Sequence, residues 1–193
     1  YVDIFQIHDV LPEDYDQVAE IYVPTMQRLK EQGKTRFLGV TEMLPKDPKH
    51  EGMSVAIQRD PDIWDSVMLK YGIMNQWAAK NALPAAVDSS IGVLNMAPVR
   101  LTLTRPEKLN ERMTEWGEDS GGNALDWLSG GDPSELIRKG YQFAAEPNAV
   151  TTVISGTSSI AHLEQNVAAL DGTLTDEEFD RLKSVYGDSA SKD

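Results

Sequence analysis

Five short apolar runs recur along the chain, at residues 2–8, 35–41, 66–71, 91–97 and 151–155. None alternates cleanly between apolar and polar, the pattern of parallel strands covered on both faces. Between the runs, apolar positions fall at helical spacing. Val18, Ile21, Tyr22, Met26 and Leu29 share one stripe, closed by Gly33 at a C-cap position, and Pro24 divides or kinks it. The segment EGMSVAIQRDPD predicts a short helix before the third run, and NQWAAKNALP another before the fourth. In PSELIRKGYQFAAE the apolar face is Leu136, Ile137, Tyr141, Phe143 and Ala144, with Ser134 as a candidate cap. After the fifth run, SSIAHLEQNVAAL aligns Ile160, Leu163, Val167 and Leu170. A last helix opens at Thr175, whose spacing to Glu178 predicts a capping box, and stops near Gly187.

Strand starts recur at roughly the spacing of a βα unit, about 30 residues, with one long gap. That gap, residues 99–133, is rich in Gly, Asp and Ser and carries Trp116 and Trp127. It predicts an extended loop whose tryptophans either pin it to the body or form a lid over a substrate. Residues 188–193 read as a flexible tail. Strand followed by helix, without hairpin signals, argues for a parallel α/β sheet in a single domain over 1–193. Periodicity alone leaves two closures open, a doubly wound sheet and a (β/α)8 barrel of about 250 residues. No G-x-G-x-x-G follows the first run, and no P-loop signature occurs.

With 193 residues and 40% hydrophobic content the chain can bury an ordinary core. It has no cysteine, so it forms neither disulfide nor thiolate metal site, which suits a reducing, cytoplasmic setting. The formal charge of −13 argues against nucleic acid, and the apolar runs are too short for a membrane span. An anionic ligand would have to be held by backbone N–H groups and helix N-termini. His8, His50 and His162 are scattered and no H-E-x-x-H occurs, so no metal site is expected; G-x-S-x-G is absent too.

Taken in order, YVDIFQIHDV, LKEQGKTRFLGVTE, DSVMLKYGIMNQ, IGVLNMAP and TTVISGTSSIAHLEQNVAAL resemble consecutive segments of the aldo-keto reductase superfamily, from its fourth barrel strand to its eighth and the helix beyond. The resemblance implies a (β/α)8 TIM-barrel fold represented by about five of its eight units. In the family, hydride passes from a nicotinamide, NAD or NADP, to a carbonyl carbon while a tyrosine, tuned by a lysine and an aspartate, donates the proton. A histidine orients the carbonyl oxygen, and by resemblance that residue is His8. An imidazole ending a barrel strand sits at the face where such sites assemble. The Asp, Tyr and Lys of the tetrad belong to the family's first three units, which match nothing here. The chain is therefore expected to be a C-terminal portion, inactive by itself.

For the cofactor, the resemblance assigns Gly156, Thr157 and Ser158 to the adenosine-phosphate end and Gln165 and Asn166 to the adenine. Members that select NADP often carry a basic residue at the position of His162 or just after the glycine. This chain has neither, so NAD and NADP both stay open. At the nicotinamide end the family's Ser-Asn appears as Thr41-Glu42, its glutamine as Met68, and its stacking aromatic as Met96, followed by Ala97 and Pro98. Glutamate accepts from an amide but cannot donate to its oxygen, and methionine can cover a ring face through sulfur.

Three readings follow. The first is a carbonyl, sugar or alcohol oxidoreductase acting on a small molecule. The second is a truncated barrel that binds a dinucleotide or serves as a scaffold, its open sheet covered by a missing N-terminal portion or a second copy. The third is an unrelated flavodoxin-like or phosphate-binding module.

Overall fold

The computed structural model describes residues 1–116 and 125–189. All five apolar runs are strands: β1 (Val2–Val10), β2 (Thr35–Glu42), β3 (Ser66–Leu69), β4 (Gly92–Asn95) and β5 (Val150–Val153). They form one sheet in sequential order, and every neighbouring pair is parallel. Helices connect them: α1 (Val23–Glu31), α2 (Glu51–Arg59), α3 (Ala82–Asp88), α4 (Pro106–Glu115) and α5 (Pro133–Ala145), with α6 (Ile160–Ala168) and α7 (Asp176–Tyr186) after the last strand.

Local chemistry explains most of the boundaries. The helical run before β2 widens into a π turn over Val18–Tyr22 and resumes as α1 with Pro24 in its first turn, where a missing N–H loses no helical bond. Gly33 then takes φ +69, which lets the chain reverse into β2. The cap of α5 is Asp132, not Ser134: the aspartate carboxylate accepts from the Ser134 backbone N–H at 2.8 Å. Thr175 and Glu178 form the expected reciprocal capping box on α7.

The core lies on one side of the sheet. Leu38 and Val40 of β2, Val67 and Leu69 of β3 and Val93 of β4 pack beneath Met53, Ala56, Ile57, Leu83, Ala86 and Phe143 of the helices. The opposite side is open: Ile4 and Phe37 are exposed, and Met68 and Leu94 are half-buried. The expectation that all five strands are covered on both faces is therefore corrected. The sheet is not closed on itself, so β1 and β5 are edges and only the helix-covered face is dry. The stripe on α6 departs from the core in the same way. Ile160 is 77% exposed and Val167 64%, with Leu163 and Leu170 also exposed.

The extended loop expected over 99–133 is also corrected. Leu101–Thr104, Pro106–Glu115 and Asp126–Ser129 are helical, and residues 117–124 lie outside the described residues. Pro106 starts α4, and Leu109 and Met113, four apart, bury its inner face. Trp116 packs at 6.4 Å from Tyr186 and Trp127 lies under Arg181 at 4.0 Å, so both tryptophans tie this segment to α7. The tail is anchored at its start, since Gln76 donates its backbone N–H to the Ser189 carbonyl and Lys80 pairs with Asp188. Residues 190–193 lie outside the described residues. Among the described residues no helix is long and apolar enough to cross a membrane.

Register is most tightly constrained around Gly39, which pairs with Gln6 on one side and Ser66 on the other. Gln6 Nε2 donates to Ser66 Oγ at 3.4 Å, reaching past the glycine. A Cβ there would meet Ser66 Oγ at 2.4 Å, the Ser66 carbonyl oxygen at 2.7 Å and Gln6 Cγ at 2.9 Å. Gly39→Ala should therefore destabilise the fold by about 1–3 kcal/mol, the range for overpacking. Urea denaturation checks this; an unchanged midpoint would contradict the register.

Candidate functional site

Strand side chains alternate between faces with a period of two, and this divides the expected site residues. Gly39 faces the open side, against the side chains of Gln6 and Ser66. By alternation Thr41 and Met68, which are register partners, share that side, and Met96 follows Leu94 along it just beyond β4. Thr41 is buried at the sheet end, where its hydroxyl accepts from the Asp9 backbone N–H at 3.0 Å. Met96 is half-buried, and Pro98 is buried with its carbonyl against the space a Cβ on Gly72 would take.

Glu42 falls on the other side. It is buried in the helix layer, one carboxylate oxygen paired with His50 Nδ1 and the other accepting from the Lys70 backbone N–H at 2.7 Å. His50 Nε2 in turn lies 3.0 Å from Asn75 Oδ1. Glu42 is therefore a structural member of a buried polar chain and does not share a face with Thr41, the residue that the resemblance pairs with it at the nicotinamide end. The reason is the alternation itself: adjacent strand residues cannot both line one face. His50 carries no sequence signal for this role, because the loop that brings it back to β2 is set by tertiary packing. Asp47 supports the turn by accepting from Glu51 and Gly52 backbone N–H groups at 3.0 and 2.7 Å.

His8 stands near the end of β1, with an imidazole 81% exposed and its Nδ1 3.2 Å from Asp9 Oδ2. The register shifts between Ile7 and Val10, and Asp9 adopts φ +60. His8 thus lies at one edge of the sheet, with β5 forming the other.

Beyond β5 the structure gathers most of the remaining candidates. A groove of about 520 Å³ runs between α5 and the β5–α6 turn, lined by Gly156, Thr157, His162, Gln165 and Asn166 from one wall and by Asp132, Ser134, Glu135, Arg138 and Tyr141 from the other. Ser158 is exposed on the same turn. Ser159 caps α6, its hydroxyl accepting from the His162 backbone N–H at 3.4 Å. The walls are held in place by a hydroxyl and amide network: Asn166 Nδ2 donates to Ser155 Oγ at 2.9 Å, and Tyr141 Oη lies 3.0 Å from the same oxygen. Gly156 has open space where a Cβ would stand, so its backbone is accessible. The sequence reading missed the second wall. Glu135 and Arg138 show the spacing of a helix pair, but no local pattern says which groove they face.

Five parallel strands in sequential order, each joined to the next through helices, form part of a (β/α)8 barrel sheet that is not closed here. The chain matches the Aldo/keto reductase family over residues 1–187, and it belongs to that family. It is 29% identical over 176 residues to L-galactose dehydrogenase of Arabidopsis thaliana, spanning 88% of this chain and 53% of that protein. To an uncharacterized oxidoreductase, YqkF, of Bacillus subtilis it is 26% identical over 195 residues, spanning 95% and 60%. Among solved structures it resembles an aldo-keto reductase from Bacillus halodurans in its holo form, with a TM-score of 0.70 at 24% identity over 100% of this chain and 62% of the other. It also resembles an aldo/keto reductase from Klebsiella pneumoniae in complex with NADP and acetate, with a TM-score of 0.63 at 21% identity over 96% and 59%. The chain spans between about half and three-fifths of the length of these curated relatives. Among the described residues no group of three or more His, Asp or Glu is placed to hold a metal ion.

The buried pair makes a pH prediction. Burial pushes the Glu42 carboxyl up, against the opposing pull of His50. Burial alone would lower the His50 imidazole, but the Glu42 hydrogen bond and charge outweigh it and its pKa lies above the ordinary value. Both folded values are raised, so the folded state holds extra protons: the carboxyl's share falls as pH rises above its unfolded value of about 4.3, whereas the imidazole's share is fully present below about 6.5 and is lost as pH rises through its folded value. His50→Ala leaves a buried carboxylate without its partner and should cost about 3–5 kcal/mol. Urea melts of both proteins across pH should show the gap narrowing on the alkaline side; a gap that widens there would contradict the assignment.

Proposed function

We propose that this chain supplies the dinucleotide-binding face of an NAD(P)(H)-dependent oxidoreductase that interconverts a small carbonyl compound, an aldehyde, ketone or sugar, and its alcohol. The observation that carries this reading is the groove beyond β5, where Gly156, Thr157, His162, Gln165 and Asn166 meet on one wall. Its chemistry suits an adenosine phosphate: accessible glycine backbone, hydroxyls at the start of α6, and two adjacent side-chain amides within about two turns of that start. In this reading Gly156, Thr157 and Ser158 take the phosphate end and Gln165 and Asn166 the adenine, while Thr41, Met68, Met96 and Pro98 bound the nicotinamide end. The bound nicotinamide would supply or accept hydride.

On the same reading the five strands correspond to the fourth through eighth of the family barrel. His8, exposed on the rim, donates an imidazole N–H to the carbonyl oxygen and orients it. The Asp, Tyr and Lys of the family tetrad match no positions here, so the chain by itself is expected to bind dinucleotide without turnover. A second reading, a catalytically silent dinucleotide-binding or scaffold protein, draws support from the exposed apolar stripe on α6.

Titration with NADH and NADPH, read by quenching of tryptophan fluorescence, tests the first reading. At least one should bind saturably, and Asn166→Ala, which loses the Ser155 anchor, should weaken it by about tenfold. No saturable binding of either would overturn the proposal. Oxidation of the reduced cofactor with an aldehyde, ketone or sugar would remove the silent reading, and with it the expectation that the chain by itself does not turn over.

A further inference from the structure

The second wall of the groove carries its charged side chains. Among the described residues Arg138 is the sole cationic side chain lining the groove, His162 being counted neutral, and it lies beside Asp132 and Glu135. It is not a free cation. Its Nε donates to Glu135 Oε2 at 2.8 Å and its Nη2 to Glu135 Oε1, a two-point pairing along one helix face. Asp132 is committed to the start of α5 through Ser134 N–H, so that helix end already holds a carboxylate. The adjacent Lys139 is likewise clamped by both oxygens of Glu178, at 2.8 and 2.7 Å.

Resting on the reading of the groove as the adenosine end of a dinucleotide site, we infer that Glu135 is a specificity-determining residue that selects NAD over NADP. An unmodified ribose offers two vicinal hydroxyl donors, and a carboxylate whose acceptor sites are not exhausted by one guanidinium can take both. A 2′-phosphate brings up to two negative charges into a lining with two carboxylates and one guanidinium, and it must first break the Glu135–Arg138 pair. The net charge of −13 adds repulsion at longer range. The Glu135 carboxyl is held below its usual range by the Arg138 hydrogen bond, so the negative charge is present at neutral pH.

The test uses probes that occupy only the adenosine end, ADP-ribose and its 2′-phosphorylated analogue, titrated into the chain by calorimetry. ADP-ribose should bind at least about tenfold more tightly. Glu135→Gln removes the competing charge and frees Arg138, and should narrow that ratio to about unity or invert it. Adding Arg138→Gln to that variant should weaken the phosphorylated probe while changing ADP-ribose binding by less than about twofold. Equal or tighter binding of the phosphorylated probe by the unaltered chain, or a ratio that Glu135→Gln leaves unchanged, would overturn the selectivity while leaving the dinucleotide reading intact. Failure of both probes to bind would remove the two together.

Discussion

Everything in this molecule follows from the period-two alternation of a parallel ladder. The register Gln6–Gly39–Ser66–Gly92 runs across four strands, and it assigns each neighbouring residue to the helix-covered face or to the open one. Val40, Val67 and Val93 therefore meet the helices, while Phe37, Thr41, Met68 and Leu94 do not. The rim residues inherit that assignment. Glu42 goes inward, Thr41 goes to the open side, and the strand ends present their loops in a fixed order.

The inward assignment has an electrostatic consequence. A carboxylate at the end of β2 inside the helix layer needs a partner, and His50 and the Lys70 backbone provide it, with Asn75 holding the other nitrogen of the imidazole. The arrangement joins the β2–α2 loop, the end of β3 and the segment after it into one hydrogen-bonded unit. Asn95 does the same one strand over: its amide donates to the Tyr71 and Ala144 carbonyls at 2.8 and 3.0 Å and its oxygen accepts from Tyr71 N–H at 2.9 Å. These side chains hold the rim while leaving the open face available to a ligand.

At the far edge, the groove is made by two successive helices, α5 and α6, that flank β5 in the chain. One wall, α6 and the turn before it, offers glycine backbone, hydroxyls and amides; the other, α5, offers an acid–base pair. The Tyr141–Ser155–Asn166 cluster joins them, so the position of a dinucleotide and the charge it meets are set by the same contact. On the proposed reading a strongly acidic chain would hold an anionic cofactor through backbone dipoles, and the charged side chains would sort one ribose from another.

Local pattern determined the five strands, the helices between them and the capping box at Thr175, because periodicity, caps and glycine turns are written within a few residues of where they act; the amide-bearing wall of the groove was singled out only by the family resemblance. The same pattern put Glu42 beside Thr41 and read residues 99–133 as loop. Sequence adjacency does not state facing, and a Gly-rich composition hid the four-residue spacing of Leu109 and Met113. Tertiary structure alone decided that His50 closes on Glu42, that the apolar stripe of α6 stays in solvent, and that Glu135 and Arg138 face the turn after β5. Each of those depends on which side a residue faces, and that is settled only once the ladder is paired, whatever the separation along the chain.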